Sequence, residues 1–387
     1  MEFNDYVLDI VIGDSLVEIG TSEFSFSMSD SIFQMFPSFN LQINDVAGVL
    51  LETLAFTPGE KVNATFGRVG EEIQNRYISR HFETSEVFTP GTLNGLLNIN
   101  NTHEFVYFQN RESYAYEGTP SDVVRELTSD YNFSDTRIDN SENQHIWYRP
   151  FYTQAEMIEK VLLENVYSND SNDTPFFSFI DNDNVFHFES FFSLIERSSE
   201  TELLLIPGDY AINERNRVID FKPLSEDYNS LQKTLIYQYF ERGVDSFELT
   251  ESEKNIKEVY PGDYLVSQEE LILTGTEYFS RSNIKEYEDN VLGQKLFNLR
   301  SGLLTNKILV TIPLNTNLVA GKTVDLVASK AFLENENSLS YSGKFLVERS
   351  QHSWSGESQN GFSQLLLSRK NKTVPDSYLI KSRLYNP

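Results

Sequence analysis

The sequence predicts a mainly β chain that carries a small inserted α+β module. Three observations lead there. Short alternating apolar runs separated by turn residues fill the first hundred positions, helical spacing replaces them near residue 114, and strand-like runs return from residue 202. Many short strands of this kind build a sandwich or a barrel.

Taken in order, residues 3–12 are rich in Val, Ile and Tyr. Phe24, Phe26 and Met28 alternate with Ser25 and Ser27, and Phe39, Leu41 and Ile43 repeat the pattern. Strand-like runs follow at 61–66, 73–82 and 104–108. Thr119 then caps a helix with Pro120 at its first position, and Val123, Val124, Leu127 and Tyr131 share one face. Thr153 and Glu156 form a capping box for a second helix, whose apolar stripe is Ala155, Ile158, Leu162, Leu163 and Val166. The turn Asp181-Asn182-Asp183-Asn184 between two aromatic runs reads as a hairpin. Later strands are expected at 203–206, 218–221, 235–240, 258–266, 271–274, 308–312, 323–327, 344–348 and 362–367. One helix, at about 284–301, is carried by Ile284, Tyr287, Val291, Leu292, Leu296 and Leu299.

An internal echo links the two β-rich stretches. Residues 58–111 run from Pro58-Gly59 through a strand, a second strand ending at His81 and a third closing on Arg111. Residues 320–369 run from Ala320-Gly321 through a strand, a second ending at His352 and a third closing on Arg369. The order of features points to a duplicated barrel, although strand-turn-strand is common and no long string repeats.

The 387 residues suggest two or three domains. The charge of −27 argues against a nonspecific grip on nucleic acid, which needs Lys and Arg to neutralise phosphates. It is unevenly placed, with 33 acids and 10 bases in residues 1–201 but 25 and 21 in the remainder. Acidic clusters ordinarily solvate a surface; the sharper alternative is a negative wall facing something that must not stick. With no cysteine there are no disulfides, thiolate nucleophiles or iron–sulfur clusters. No apolar run reaches membrane-spanning length, and the acidic start at Glu2 and Asp5 is unlike an export signal.

Candidate chemistry is sparse. There is no phosphate-binding glycine loop, no dinucleotide fingerprint and no nucleophile elbow. His81, His103, His145, His187 and His352 form no metal-ligand pair, and His187, between Phe186 and Phe188, reads as a packed or exposed strand residue. A calcium loop starting at Asp181 would need Gly and Glu where Phe186 and Phe192 stand. Among 58 acids some carboxylate pair always exists, so a glycosidase pair carries no information. The expectation is a non-enzyme with no catalytic, cofactor-binding or metal residues and no cofactor.

Three groups of residues carry a family resemblance. The run from Tyr116 and Gly118-Thr119-Pro120 to Leu127 resembles the entry into the embedded helical module of contractile-phage baseplate hub proteins, relatives of late control protein D and of the N-terminal part of VgrG spikes. Trp147, the Thr153 helix and the aromatic hairpin are similar to the rest of that module. Ala320-Gly321-Lys322-Thr323-Val324, the run from Gly343 to His352 and the closing run 362–369 are similar to its final barrel. The charged segment 246–257 departs from the pattern, and the chain carries no fused lysozyme or spike, which implies a separate puncturing tip. The resemblance implies two tube-type β-barrels in one chain: 1–113 completed by 202–240, and 241–375 with the helix at 284–301. It also implies an inserted module at 114–201 and a C-terminal arm at 376–387. It implies a homotrimer forming a pseudo-six-fold ring in the virion tail baseplate, assembled in the host bacterial cytoplasm. The implied partners are the tail tube protein, the central spike protein and other baseplate proteins, with genomic DNA passing through the lumen unbound. The alternatives are a carbohydrate-active or receptor-binding tail protein, and a hexameric distal tail or tube protein.

Overall fold

A computed structural model describes residues 6–12, 15–18, 24–45, 61–68, 74–89, 92–103, 105, 110–142, 144–163, 166, 176–205, 216–224, 233–242, 247–255, 275–282, 306–328, 342–358 and 360–369. The chain is mainly β. Among the described residues, seven strands come first: β1 (Tyr6–Ile12), β2 (Ser15–Glu18), β3 (Phe24–Ser31), β4 (Gln34–Asp45), β5 (Lys61–Arg68), β6 (Gln74–Thr89) and β7 (Thr92–His103). The alternation read from the sequence sets the faces: Phe24, Phe26 and Met28 on β3 and Phe39, Leu41 and Ile43 on β4 are all buried. Of the strand expected at 104–108, only Phe105 lies among the described residues. β7 occupies 92–103 and ends at His103, while Phe105 is buried in a helical conformation.

The middle of the chain holds β8 (Glu112–Gly118), α1 (Pro120–Thr128), β9 (Asp135–Ile138), β10 (His145–Tyr152), α2 (Gln154–Met157), β11 (Phe176–Ile180), β12 (Val185–Ser190) and α3 (Phe191–Glu196). The expected capping box at Thr153 is present, and the Thr119 cap is a capping box too. Thr119 accepts from the Asp122 N–H while Asp122 accepts from the Thr119 N–H, and Thr153 and Glu156 do the same. The second helix is shorter in α geometry than its apolar stripe suggests. It continues as one π turn, Ile158–Leu162, closed by the Leu163 N–H on the Ile158 carbonyl at 2.7 Å. Val123, Leu127, Ile158 and Leu162 share one core with Trp147, Phe176, Phe186 and Phe188, sealed from outside the segment by Met35 of β4 and by Phe105. β11 and β12 form the expected hairpin, with β9 added parallel to β12.

The last strands are β13 (Thr201–Leu205), β14 (Asp220–Leu224), β15 (Lys233–Arg242), β16 (Phe247–Asn255), β17 (Gly275–Ser282), β18 (Asn306–Pro313), β19 (Thr323–Ala328), β20 (Gly343–Ser355) and β21 (Asn360–Arg369). β16 lies on the charged segment, and β15–β17 make a separate three-stranded sheet. The strands expected at 258–266 and 271–274, the helix at 284–301 and the arm at 376–387 lie outside the described residues.

The principal sheet contains the same six-strand arrangement twice. In space the first runs β3-β4-β7-β6-β5-β1, and the second runs β14-β18-β21-β20-β19-β13. Position by position the chain visits both in the same order: the far strand (β1 or β13), then β3 or β14, then four successive strands. The two echo segments supply β5-β6-β7 and β19-β20-β21, each an antiparallel meander. The units differ in one sense: β1 runs antiparallel to β5, whereas β13 runs parallel to β19. Strands β13 and β14, read from sequence as a return to the first barrel, pair with β19 and β18. Their core is Leu203, Leu205 and Val218 packed with Ile308, Val310, Phe345 and Leu365. The far half of β20, from Arg349 to Ser355, also pairs with β3 and so couples the two units.

Candidate functional site: a buried polar joint

Asp30 falls in phase with Phe24, Phe26 and Met28, so its carboxylate points into the core, where it is 1% exposed. It persists there because three donors from distant parts of the chain converge on it. The Asn182 N–H reaches Oδ2 at 2.7 Å, the Ala320 N–H reaches Oδ1 at 3.1 Å, and the Ser350 hydroxyl donates to Oδ1. Burial is the main reason its pKa rises to about 6, with the nearby Asp181 charge adding to the rise and the Ser350 hydrogen bond opposing it.

The hairpin turn between β11 and β12 is the centre of the joint. Asp181 Oδ1 accepts from the N–H groups of Asp183 (2.8 Å) and Val185 (3.0 Å), which closes the turn, and Asn184 completes it at φ 59°. The turn then reaches both strand units. Asn184 Oδ1 accepts from His103 Nε2 at the end of β7 (2.9 Å), a ring whose Nδ1 accepts the Phe105 N–H. On the other side, Asp183 pairs with Lys322 at 3.3 Å.

Beneath the turn lies a buried charge chain. His187 stacks on Phe179 with ring centroids 4.3 Å apart. Its Nε2 meets Asp181 at 3.0 Å and its Nδ1 meets Glu189 at 2.6 Å. A carboxylate on each nitrogen calls for a doubly protonated ring. Burial alone would lower the His187 pKa, but the hydrogen bonds to Asp181 and Glu189 outweigh it and hold the value above the usual one. Glu189 has the mirror balance: burial would raise it, yet His187 and Arg197 hold it below the ordinary glutamate value. Arg197 bonds Glu189 and donates to the Gly321 carbonyl at 2.6 Å, tying the chain to the turn before β19. Gly321 has φ 82°, and a Cβ there would lie 2.7 Å from the Phe179 ring, so the motif glycine is required twice over.

A second polar chain crosses β20 and β21. His352 Nδ1 meets the Ser363 hydroxyl at 2.7 Å and its Nε2 meets Ser350 at 3.2 Å, the same Ser350 that donates to Asp30. Asp30, Ser350, His352 and Ser363 are all essentially closed to solvent. The arrangement therefore holds parts of the chain together and offers a substrate no approach.

The sequence assigned no catalytic, cofactor or metal residue. His187 is a packed strand residue, as read, and the 181–184 segment is a hairpin turn. Among the described residues no group of three His, Asp or Glu side chains is arranged to hold a metal ion, and no helix is long and apolar enough to cross a membrane. The sequence reading missed Asp30, Glu189 and Arg197. A signal for Asp30 existed, since an acid continuing the Phe24-Phe26-Met28 parity belongs to the core face.

No family model matches the chain, and no curated protein does. Solved structures do. A tail protein from Neisseria meningitidis MC58 is 11% identical, covers 94% of this chain and 97% of its own, and gives a TM-score of 0.59. The 43 kDa tail protein of prophage MuSo2 from Shewanella oneidensis is 11% identical, with coverages of 94% and 98% and a TM-score of 0.59. In the lidded Francisella PdpA-VgrG complex the match is 8% identical over 94% of this chain but 52% of that one, at a TM-score of 0.53. Over nearly its whole length, this chain has the fold of these tail proteins, which agrees with its resemblance to the tail-hub family.

Proposed function

We propose that this chain is a structural hub of a contractile phage tail baseplate. Three copies form a pseudo-six-fold ring that joins the hexameric tail tube to a trimeric central spike and lets DNA pass. The observation that carries this reading is the six-strand arrangement that occurs twice in one chain. Three chains with two such units each present six similar surfaces to a six-fold tube while keeping three-fold symmetry for a spike. In this reading each unit curls into a tube-type barrel, residues 114–201 form the inserted module, and the buried joint fixes the module against both barrels. The likeness to tail proteins supports a tail role rather than catalysis. Partners are then the tube protein, the spike protein and other baseplate proteins, in the virion tail after assembly in the host cytoplasm.

Native mass spectrometry of the purified chain tests the ring. Three copies are expected. Six copies would favour a distal tail or tube protein, and a monomer at micromolar concentration would remove the ring.

A further inference from the structure

The two six-strand units can be laid on each other residue by residue through their ladders. Lys61↔Ser79 between β5 and β6 takes the place of Thr323↔Leu346 between β19 and β20. From there Ser79↔Thr102 matches Leu346↔Ser368, Ser38↔Thr102 matches Lys307↔Ser368, and Ser25↔Gln42 matches Asp220↔Thr311. Two sequence anchors fall into this register without being used to set it: Gly59 lands on Gly321, and Asn94-Gly95 lands on Asn360-Gly361. β14 is therefore the counterpart of β3, and β6 the counterpart of β20. Within one chain, β3 and β20 are the strands that join the two units. β20 pairs Gly343–Leu346 with β19 and then Arg349–Ser355 with β3. β6 is built alike: its pairing with β5 ends at Ser79, and among the described residues 80–89 pair only with β7. β14 pairs only with β18 among the described residues, and its Asp220, Lys222 and Pro223 are exposed.

Resting on the ring reading, we infer that the outer half of β6 of one copy pairs antiparallel with β14 of the next copy, repeating between chains the β20–β3 joint made within each chain. The occupant of the β14 edge is thus a second copy of this chain. A closed ring of six similar units from three chains needs the same contact, or a close copy of it, from each unit to the next. The register follows from the joint inside the chain: Ser353↔Ser27 and Trp354↔Phe26 become Ser85↔Lys222 and Glu86↔Phe221 between chains. The backbone of β14 selects this partner over itself. Alternate residues of an antiparallel strand bond to opposite sides. The Phe221 N–H donates to Asp220 Oδ1 at 2.9 Å and not to β18, so Phe221 and Pro223 face outward. Proline has no N–H, so these two residues offer the next chain two carbonyls and no free donor. Two such edges cannot hydrogen-bond to each other, which bars a β14–β14 dimer. In the joint inside the chain the Gly356 N–H bonds the Phe24 carbonyl at 2.9 Å, so Trp354 and His352 are the next residues that bond across it. Their counterparts in β6 are Glu86 and Thr84, whose N–H groups match the Phe221 and Pro223 carbonyls.

The cysteine-free chain makes the test direct. Ser85 and Lys222 would be opposed as a non-hydrogen-bonded pair, a spacing that a disulfide spans. Ser85→Cys and Lys222→Cys chains carrying different tags are co-expressed and mildly oxidised. A disulfide-linked dimer containing one of each is expected, with none when either variant is expressed alone. The Ser85→Cys/Lys222→Cys double variant should give a covalent trimer. A Lys222→Cys dimer formed alone would show β14 against β14 and overturn the inference. Absence of any cross-link in a preparation that native mass spectrometry shows to be trimeric would overturn it too, and leave the ring standing. A monomeric wild type would remove the ring itself, and the inference with it. A second pair of variants reads the backbone. Thr84→Pro deletes an N–H on the side of β6 away from β7 and should lower the trimer fraction by about tenfold, with the circular dichroism of the wild type. Thr84→Ala keeps that N–H and should leave the fraction unchanged; equal fractions in the two variants would count against the pairing.

Discussion

Asp30 makes the stability of this protein depend on pH in a definite direction. Its pKa is about 6 in the folded chain against the ordinary aspartate value of 3.8, so the folded state binds a proton more tightly between those values. Stability therefore falls as pH rises from about 4 to about 6, by something on the order of 3 kcal/mol for a fully buried group. His187 acts in the same sense. Its raised pKa gives stability that is present at low pH and is lost as pH rises through the folded value. Glu189, held low, opposes them only under stronger acid, where it finally protonates. The urea midpoint should accordingly be higher at pH 5 than at pH 8. Asp30→Asn should flatten the part of the slope between pH 4 and 6 while leaving that of His187; an unaltered slope would refute the assignment. Gly321→Ala should cost roughly 2–4 kcal/mol through its positive φ and the Phe179 clash, read as a lowered Tm.

The helical elements obey local rules closely enough to predict their mutants. Thr119→Ala removes one half of a capping box and should cost about 1 kcal/mol. Leu162→Ala opens a cavity in a core it shares with Phe176 and Phe188 and should cost about 2–5 kcal/mol. Denaturant titration checks both, and the larger loss must belong to Leu162. These elements were legible because a cap, a proline and an apolar stripe are local signals. Strands β7, β8 and β10 were not. β7 carries Asn94, Gly95, Asn98, Asn100 and Asn101, the residues of a loop, yet forms a twelve-pair ladder with β6, from Ile78↔His103 to Thr89↔Thr92. Its conformation is imposed by the partner strands on either side, and pairing of that kind leaves no periodic trace in the strand itself. β8 and β10 escaped for another reason: on β10 exposed Ile146 and Tyr148 alternate with buried Trp147 and a buried charged Arg149, which cancels the apolar–polar alternation by which a half-buried strand is recognised.

At the scale of the whole molecule the duplicated order of strands was foreshadowed by the echo of Gly, His and Arg positions. Its full extent was not, because six of the twelve strands involved (β1, β3, β4, β13, β14 and β18) lie outside the two echo segments. The buried joint was also invisible as a unit, since Asp30, Asn182, Ala320 and Ser350 are far apart in sequence and meet only after folding. The acidic surplus has a testable reading in the proposed conduit. Carboxylates facing a lumen repel DNA weakly over about 10 Å at 0.1 M salt and leave it free to move. The assembled chain should therefore fail to retard a DNA fragment in a gel at that ionic strength; a stable complex would argue against a passive wall. The sharing of β20 has a mechanical consequence. Residues 349–355 bond to β3 on one side and to β21 on the other, so this strand is a tie-bar between the two halves. A force that slides the halves past one another along the strand must break that ladder in shear, all rungs together. A force that peels them apart at one end meets the rungs singly. A device that recoils along its axis would gain rigidity from the first geometry, and could come apart through the second.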